Sequence, residues 1–162
     1  MALNAVVISD STTLISLINI ERFTLLFRFT EKVIITPSVY SEVTVQKSAK
    51  RILDTYITEQ KVSITEVMHA QKVKELRTRL DLGESESIVL AKERNLPLII
   101  DEKKGKKVAL SFGIQAIGLV GILLLYKKKG YLSNAEIMEI VSELREVDFR
   151  ISDALLALLL EE

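Results

Sequence analysis

Short apolar runs alternate with amphipathic segments along the chain, and this pattern is typical of a sheet whose strands are joined by helices. Apolar runs of strand length predict strands at 5–9, 33–35, 62–64, 98–100 and 114–117, the third as a short edge strand. The first run, AVVIS, is continuously apolar, as in strands that are buried on both faces of a parallel sheet. Longer segments with apolar residues at helical spacing predict helices between these strands.

Capping and breaking residues give the approximate bounds of the helices. Thr36 followed by Pro37 begins one helix, and Ser133 with Glu136 fits the capping box that begins another. Helices are predicted after Asp10, over 21–29, from Pro37, over 47–60, over 65–80, from Glu84 or Ser85 to Arg94, from Lys103 to Gly113, between Gly118 and Gly130, over 133–146 and over 152–160.

The order of these elements predicts an α/β fold with three layers, in which helices flank a mainly parallel central sheet of four to five strands. With 162 residues and 48% hydrophobic content, the chain is expected to form a single domain over 1–162 with a sizeable core. From about residue 133 the domain is expected to continue as a C-terminal helical extension.

Composition excludes several kinds of site. The chain has 22 basic and 22 acidic residues, so net charge does not argue for a nucleic-acid partner and any basic patch must be local. The absence of cysteine excludes a thiol nucleophile and a thiolate metal site, and it fits a reducing cytoplasm. His69 is the only histidine, which excludes a Ser-His-Asp triad and zinc bound by several histidines, and we expect it to be solvated without a role.

The chain has no segment that predicts membrane insertion or secretion. Its longest apolar stretch, 117–126, is much shorter than the roughly 20 residues of a membrane-spanning helix. The N-terminal sequence MALNAVVISDS lacks the basic and long apolar regions of a signal peptide. We therefore expect a soluble cytoplasmic protein without a membrane partner.

Two aspartates directly follow predicted strands. Asp10 follows the strand 5–9, and Asp101 follows the strand 98–100. Open parallel sheets bind their ligands outside the carboxyl ends of the strands. The two aspartates would be neighbours if their strands are adjacent, although Asp10 is also a good residue for simply capping a helix.

Glutamates on two helices can reach the same edge of the sheet. Glu42 lies about one and a half turns into the helix that starts at Pro37, where it would alone be typical of a solvated residue. Glu84 or Glu86 lies at the start of a later helix. Four carboxylates without nearby arginines repel one another unless a divalent cation binds, and their oxygens suit Mg²⁺ or Mn²⁺.

The motifs taken together resemble the PIN-domain ribonucleases, in the branch of prokaryotic VapC-like toxin homologues. The resemblance spans nearly the whole chain and is carried by VVISDSTTLISL, VIITPSVYSEV, LGESESIVLAKERNLPLIIDEKKGKKVA, GIQAIGLVGILLLYKKKG and the tail FRISDALLALLLEE. It implies a PIN fold whose acidic cluster binds one or two Mg²⁺ or Mn²⁺ ions and hydrolyses RNA phosphodiester bonds. A bound metal would lower the pKa of a water molecule and offset charge on the phosphate.

By this resemblance, the catalytic acids are Asp10, Glu42, Glu86 and Asp101, and the same four residues together with Glu84 are the candidate metal ligands. Many PIN proteins have aspartate where this chain has Glu86. Residues two apart on a helix point about 200° apart, so only one of the two glutamates can face the edge that holds the aspartates. Alignment with the family favours Glu86, and Glu84 would then stabilise the start of the helix through its macrodipole. The acid after the strand 98–100 could also be Glu102 instead of Asp101.

The remaining expectations concern RNA and protein partners. Ser11 occupies the small hydroxyl position after the first acid and is expected to bind RNA. Lys103, Lys104 and Lys107, together with Lys106, could bind RNA phosphates or be merely solvated. A toxin of this kind is expected to have a cognate antitoxin protein. The apolar segments 154–160 and 119–126 predict a homodimer. The alternative function is that of a PIN-like RNA-binding or scaffold protein without catalysis.

Overall fold

A computed structural model describes residues 5–28 and 30–161. The predicted domain's residues 1–4 and 162 lie outside this range, as does Phe29 at the end of the predicted helix 21–29. The strands of the described residues are β1 (Val6–Ser9), β2 (Lys32–Ile35), β3 (Val62–Ile64), β4 (Leu98–Ile99) and β5 (Ala116–Ile117). They form one sheet in the order β3-β2-β1-β4-β5, and every neighbouring pair is parallel.

Helices cover both faces of the sheet, so the predicted three-layer α/β fold is confirmed. A 3₁₀ helix lies at Phe23–Arg28. The α-helices of the described residues are α1 (Ser11–Asn19), α2 (Pro37–Val43), α3 (Lys47–Thr58), α4 (Ala70–Leu76), α5 (Leu82–Arg94), α6 (Lys103–Ser111), α7 (Leu119–Lys128), α8 (Asn134–Glu146) and α9 (Asp153–Leu160). None of these helices has the length and apolarity to cross a membrane.

Alternate residues of each strand pack against opposite helical layers, as strand geometry requires. On one face, Val7 and Ile99 join a cluster with residues of α1, α3, α7 and α8. On the other face, Ile8 and Leu98 join a cluster with residues of α4, α5 and α6. Continuous apolar strands were therefore a correct indication that both faces of the sheet are covered.

The predicted helix 65–80 is too long, because only Ala70–Leu76 is helical. The carboxylate of Glu93 accepts hydrogen bonds from the backbone N–H groups of Met68 and His69 and contacts the His69 ring at Nδ1. Thr65 donates its backbone N–H to Ile35 and so extends the pairing of β3 with β2. His69 is half exposed and pairs with Glu93, whereas the sequence predicted a solvated side chain with no role.

The predicted helix 21–29 is a 3₁₀ helix at Phe23–Arg28, with non-helical backbone angles at Phe27. Its geometry follows from the packing of aromatic rings, since Phe23 and Phe27 both contact the ring of Tyr56. Glu21 has a φ of 59° and separates this segment from α1.

The C-terminal helices α8 and α9 belong to the same hydrophobic cluster as the sheet. Leu144 of α8 and Leu159 of α9 are fully buried in the cluster that contains Val7 of β1. Ser133 forms the predicted capping box with Glu136 at the start of α8. Helices α8 and α9 are thus packed against the core that supports the sheet.

This packing predicts a large difference between two substitutions in α8. Leu144→Ala should lower the free energy of unfolding by about 2–5 kcal/mol, because it leaves a cavity in the shared core. Met138→Ala, at an exposed position of the same helix, should change it by less than about 0.5 kcal/mol. Urea denaturation measures both values. Equally small effects would indicate that α8 unfolds independently of the sheet.

Candidate active site

Parallel pairing of β1 with β4 brings two of the predicted acids to one edge of the sheet. Ser9 is in register with Ile99, and the backbone N–H of Asp10 donates to the carbonyl oxygen of Ile99 at 2.8 Å. Asp10 and Asp101 therefore follow adjacent strands at their carboxyl ends. The sequence predicted the two aspartates as neighbours on the condition that these strands are adjacent, and the strands are adjacent.

Asp10 is a buried acid whose burial is not explained by helix capping. It occupies the N-cap position of α1, but its side chain makes no capping hydrogen bond, and its buried Oδ1 has no hydrogen-bond partner among the described residues. Burial raises the pKa of Asp10 to about 7; the backbone N–H of Ser11 opposes this rise, and the charges of Glu42, Asp81 and Asp101 add to it. A buried carboxylate with a free oxygen and acidic neighbours is typical of a functional site.

Glu42 lies between the start of α1 and the start of α5. Ser11 donates its hydroxyl to Glu42 Oε2 at 2.5 Å. Gly83 lies directly against the same carboxylate, and a Cβ at Gly83 would overlap Glu42 Oε1. The position of Glu42 therefore depends on one hydroxyl group and on the absence of one side chain.

Both oxygens of Asp101 accept hydrogen bonds. The hydroxyl of Thr13 donates to Oδ2, and the backbone N–H of Leu119, at the start of α7, donates to Oδ1 at 2.7 Å. Burial raises the pKa of Asp101, while these two hydrogen bonds and the charge of Lys106 lower it in part. Gly118 passes close by, since a Cβ there would lie 2.8 Å from Oδ1. Asp101 is thus fixed in orientation at the edge of the sheet.

The neighbouring acid Glu102 has a different role. Its side chain accepts hydrogen bonds from the backbone N–H groups of Lys104 at 2.8 Å and Gly105 at 3.1 Å, so it caps α6. The structure therefore places Asp101 among the acids and uses Glu102 to begin a helix.

Helix α5 begins earlier than the sequence predicted. Asp81 is its N-cap and accepts a hydrogen bond from the backbone N–H of Glu84 at 2.8 Å, so Gly83 lies inside the first turn and not in the turn before it. The predicted start at Glu84 or Ser85 is wrong, because Asp81 is a strong capping residue and begins the helix.

The two glutamates at the start of α5 point to different neighbours. Glu84 is almost fully buried; desolvation, followed by the charges of Asp81 and Asp10, raises its pKa to about 8. Glu86 instead accepts hydrogen bonds from the backbone N–H and the hydroxyl of Ser38, at the start of α2. The structure places Glu84 beside Asp10, whereas the sequence analysis expected Glu86 there.

A family model described as a PIN domain (DUF3368) matches residues 6–162. The chain belongs to the PIN-domain family. PIN domains are generally nucleases and usually use divalent metal ions. No curated protein matches the chain significantly.

Among solved structures, the chain is similar to a PilT N-terminus domain protein from the hyperthermophilic archaeon Sulfolobus solfataricus P2. The sequence identity is 21%, the TM-score is 0.42, and the match covers 72% of this chain and 88% of that one.

The acids of this PIN domain influence one another without forming a tight cluster. Among the described residues, no three acidic or histidine side chains are close enough to hold a metal ion in their present arrangement. Glu42, Asp101 and Glu86 are each held by the hydroxyl of a different residue, namely Ser11, Thr13 and Ser38. The donor chemistry nevertheless suits a hard cation, because Asp10 has an unpartnered carboxylate oxygen and the charges of Glu42, Asp81 and Asp101 act on the same group.

The predicted RNA-binding lysines lie on exposed parts of α6. Lys103, Lys104 and Lys107 are exposed, and none contributes appreciably to the pKa of Asp101. Lys106 is half buried and is the lysine whose charge lowers the pKa of Asp101. Within α6, Lys106 is therefore the cation that faces the candidate active site of the PIN domain.

Three polar residues of the site were missed in the sequence. Asp81 lies three residues before Glu84, which is the spacing of a helix cap and could have been recognised. Thr13 lies one helical turn after Asp10, and that spacing alone does not indicate its bond to Asp101. Ser38 follows Pro37, and its contact with Glu86 spans 48 residues of sequence. Only the first of these has a local signal.

Without a divalent cation, the free energy of unfolding should fall as pH rises from about 4 to about 8. The pKa values of Asp10 and Glu84 are about 7 and about 8 in the folded protein, above their ordinary values of 3.8 and 4.5. The folded protein thus keeps protons that the unfolded chain has released. The resulting stabilisation is complete below the ordinary values and is lost as pH passes through about 7 to 8.

Asp10→Asn should flatten this fall around pH 7, because the substituted amide does not ionise. Urea denaturation in the presence of a chelator, at pH values from about 5 to 8, measures the effect. Glu75→Gln, which removes an exposed acid of α4, serves as the control and should leave the wild-type slope unchanged. A wild-type stability that rises over this range would contradict the raised pKa values.

Proposed function

We propose that this PIN domain is a Mg²⁺- or Mn²⁺-dependent endoribonuclease that hydrolyses RNA phosphodiester bonds. The observation that supports it best is the buried carboxylate of Asp10, which has an unpartnered oxygen and a pKa that the charges of Glu42, Asp81 and Asp101 raise further. Such a group is costly to bury unless its charge is compensated when the protein functions. A divalent cation compensates the charges of several carboxylates at once. Membership of the PIN-domain family also supports a nuclease.

The proposed metal ligands are Asp10, Glu42, Glu84 and Asp101. Glu86, the ligand favoured by sequence alignment, stays a candidate, but its bond to Ser38 makes it second to Glu84. A bound divalent ion would supply a water molecule of lowered pKa and would offset charge on the phosphate in the transition state. The catalytic acids are therefore proposed to act as ligands and not as nucleophiles.

The polar residues around the acids would orient them for this role. Thr13 and the backbone N–H of Leu119 fix the plane of the Asp101 carboxylate, and Ser11 holds one oxygen of Glu42. Ser11 was expected to contact RNA, but its hydroxyl is already engaged by Glu42. We therefore propose that Ser11 acts by positioning Glu42.

We further propose that the protein is the toxin of a toxin–antitoxin pair, which acts on cytoplasmic RNA and is held inactive by a cognate antitoxin protein. The support is the resemblance of nearly the whole chain to VapC-like toxins. A homodimer is also proposed. Helix α9 exposes Leu155 and Leu158, while most apolar residues of α7 are buried within the chain, so α9 is the better candidate for the contact between subunits.

A second candidate function is an RNA-binding or scaffold protein that has lost catalysis. The separation of the acids favours this alternative, because no three of them in the described residues are within metal-binding distance. Metal binding distinguishes the two functions, since a scaffold has no need of Mn²⁺.

Asp10→Asn should abolish Mn²⁺ binding and metal-dependent RNA cleavage while leaving the fold intact. In the absence of metal it should raise the thermal midpoint, because one buried and repelled charge is removed. Isothermal titration calorimetry with Mn²⁺ and a cleavage assay on single-stranded RNA measure these effects. Glu75→Gln is the matched control on the surface of α4. Wild-type affinity for Mn²⁺ in the Asp10 variant would mean that the site assignment is wrong.

Glu84→Gln and Glu86→Gln test which glutamate binds the cation. Because Glu84 interacts with Asp10 and Glu86 is bonded to Ser38, Glu84→Gln should lower the cleavage rate at least about 100-fold, as loss of a group that holds the reacting centre does. Glu86→Gln should retain most activity. Loss of activity in Glu86→Gln alone would mean that Glu86, which the alignment favours, is the ligand. Loss of activity in both variants would mean that both carboxylates bind the cation.

A further inference from the structure

A cavity of about 530 Å³ adjoins the candidate active site on the side of Asp101. Its walls are contributed by the start of α6, the start of α7 and the segment that joins α8 to α9. We call it the flanking pocket and define it by six of its lining residues: Asp101, Lys106, Val120, Leu124, Phe149 and Arg150. Asp101 belongs to both the pocket and the acidic site, so a ligand can extend from one into the other.

Two cations line the flanking pocket without being engaged elsewhere. Lys106 comes from α6 and lies close to Gly118, since a Cβ at Gly118 would be 3.1 Å from its Nζ. Arg150 comes from the segment between α8 and α9 and is exposed. Neither side chain makes a hydrogen bond or an ion pair with any residue in the described part of the chain. Both are therefore available to bind an anion beside Asp101.

Most of the remaining wall of the flanking pocket is apolar, and the acids Glu102 and Asp148 also line it. Val120 and Leu124 of α7 contribute aliphatic surface, and Leu155 of α9 borders the same space. Phe149 is half buried; it packs against the core and also lines the cavity. An aromatic ring and an aliphatic surface next to two cations are the features with which proteins bind an unstacked base and its phosphate.

We propose that the flanking pocket binds the nucleotide next to the cleaved phosphodiester bond of a single-stranded RNA. The base lies against Phe149 and the apolar surface of α7, and Lys106 and Arg150 bind the adjacent phosphates. The volume accommodates a single nucleotide, and a base can enter only when it is free of a duplex. This inference rests on the proposed nuclease function, because it takes the RNA to be cleaved at the acids beside the pocket.

The test compares four variants in their binding of a short, fluorescently labelled single-stranded RNA. Fluorescence anisotropy in the presence of a chelator measures affinity over a range of salt concentrations, and cleavage of the same RNA by the wild-type protein with Mn²⁺ is measured in parallel. Lys106→Gln and Arg150→Gln remove the two cations, and Phe149→Leu removes the aromatic ring. Arg94→Gln is the control, because it removes an exposed cation at the end of α5, near the amino end of β4.

Lys106→Gln and Arg150→Gln should each weaken binding and lower the slope of log affinity against log salt by about 0.7, as loss of one phosphate contact does for a single strand. Phe149→Leu should weaken binding about 5-fold or more with the slope unchanged, because stacking on an aromatic ring is lost. Arg94→Gln should match the wild type. Thermal denaturation of each variant confirms that the fold is retained.

The outcomes separate this inference from the nuclease proposal. A wild-type protein that cleaves the RNA, with Lys106→Gln and Arg150→Gln identical to Arg94→Gln in affinity and slope, would exclude the flanking pocket as a subsite and leave the nuclease proposal standing. A wild-type protein that binds RNA through these residues but does not cleave it would show that the pocket binds RNA, would overturn its place beside a cleaved bond, and would favour the scaffold alternative. A protein that neither binds nor cleaves RNA would refute both.

Discussion

Parallel pairing of β1 with β4 is the interaction on which the candidate active site depends. The register that sets Ser9 opposite Ile99 buries Ile8 and Leu98 on one face and Val7 and Ile99 on the other. A slip of one residue would exchange the two faces along a whole strand. The same register leaves Asp10 and Asp101 side by side where the strands end. Hydrophobic packing therefore holds two acids near each other, although their charges repel.

The electrostatic conflict at this edge is moderated by hydroxyl groups. Serine and threonine residues donate to Glu42, Asp101 and Glu86, each acid having its own donor. Asp10 and Glu84 have no such donor, and their raised pKa values show where the charge is least compensated. The site therefore contains two kinds of acid. Hydroxyl groups hold the first three in place, whereas desolvation raises the pKa values of Asp10 and Glu84.

The order of elements could be predicted from sequence because apolar runs and capping residues are local signals. Asp10, Asp101 and Glu42 were recognised for the same reason, since each has a defined place relative to a strand end or a helix start. Features that depend on distant contacts were not predictable. The non-helical backbone at Met68 is set by Glu93, 25 residues away, and the bond between Thr13 and Asp101 spans 88 residues.

Which of Glu84 and Glu86 faces Asp10 is a separate question. Residues two apart on a helix point about 200° apart, so Glu84 and Glu86 face different sides of α5. The resemblance to the family favoured Glu86 at the metal, whereas the structure places Glu84 beside Asp10 and bonds Glu86 to Ser38. Ser38 lies 48 residues from Glu86, so the sequence contains no local signal for this difference.

Because Gly83 has no side chain where it meets Glu42, a single-base change in its codon can disturb the site. Glycine and alanine codons differ by one base, and a methyl group here would displace Glu42 without entering the hydrophobic core. Under the proposed toxin function, this substitution would be a short mutational route to a protein that no longer harms its cell. The altered chain would keep its core and its surface, so under the same proposal it would still bind its antitoxin.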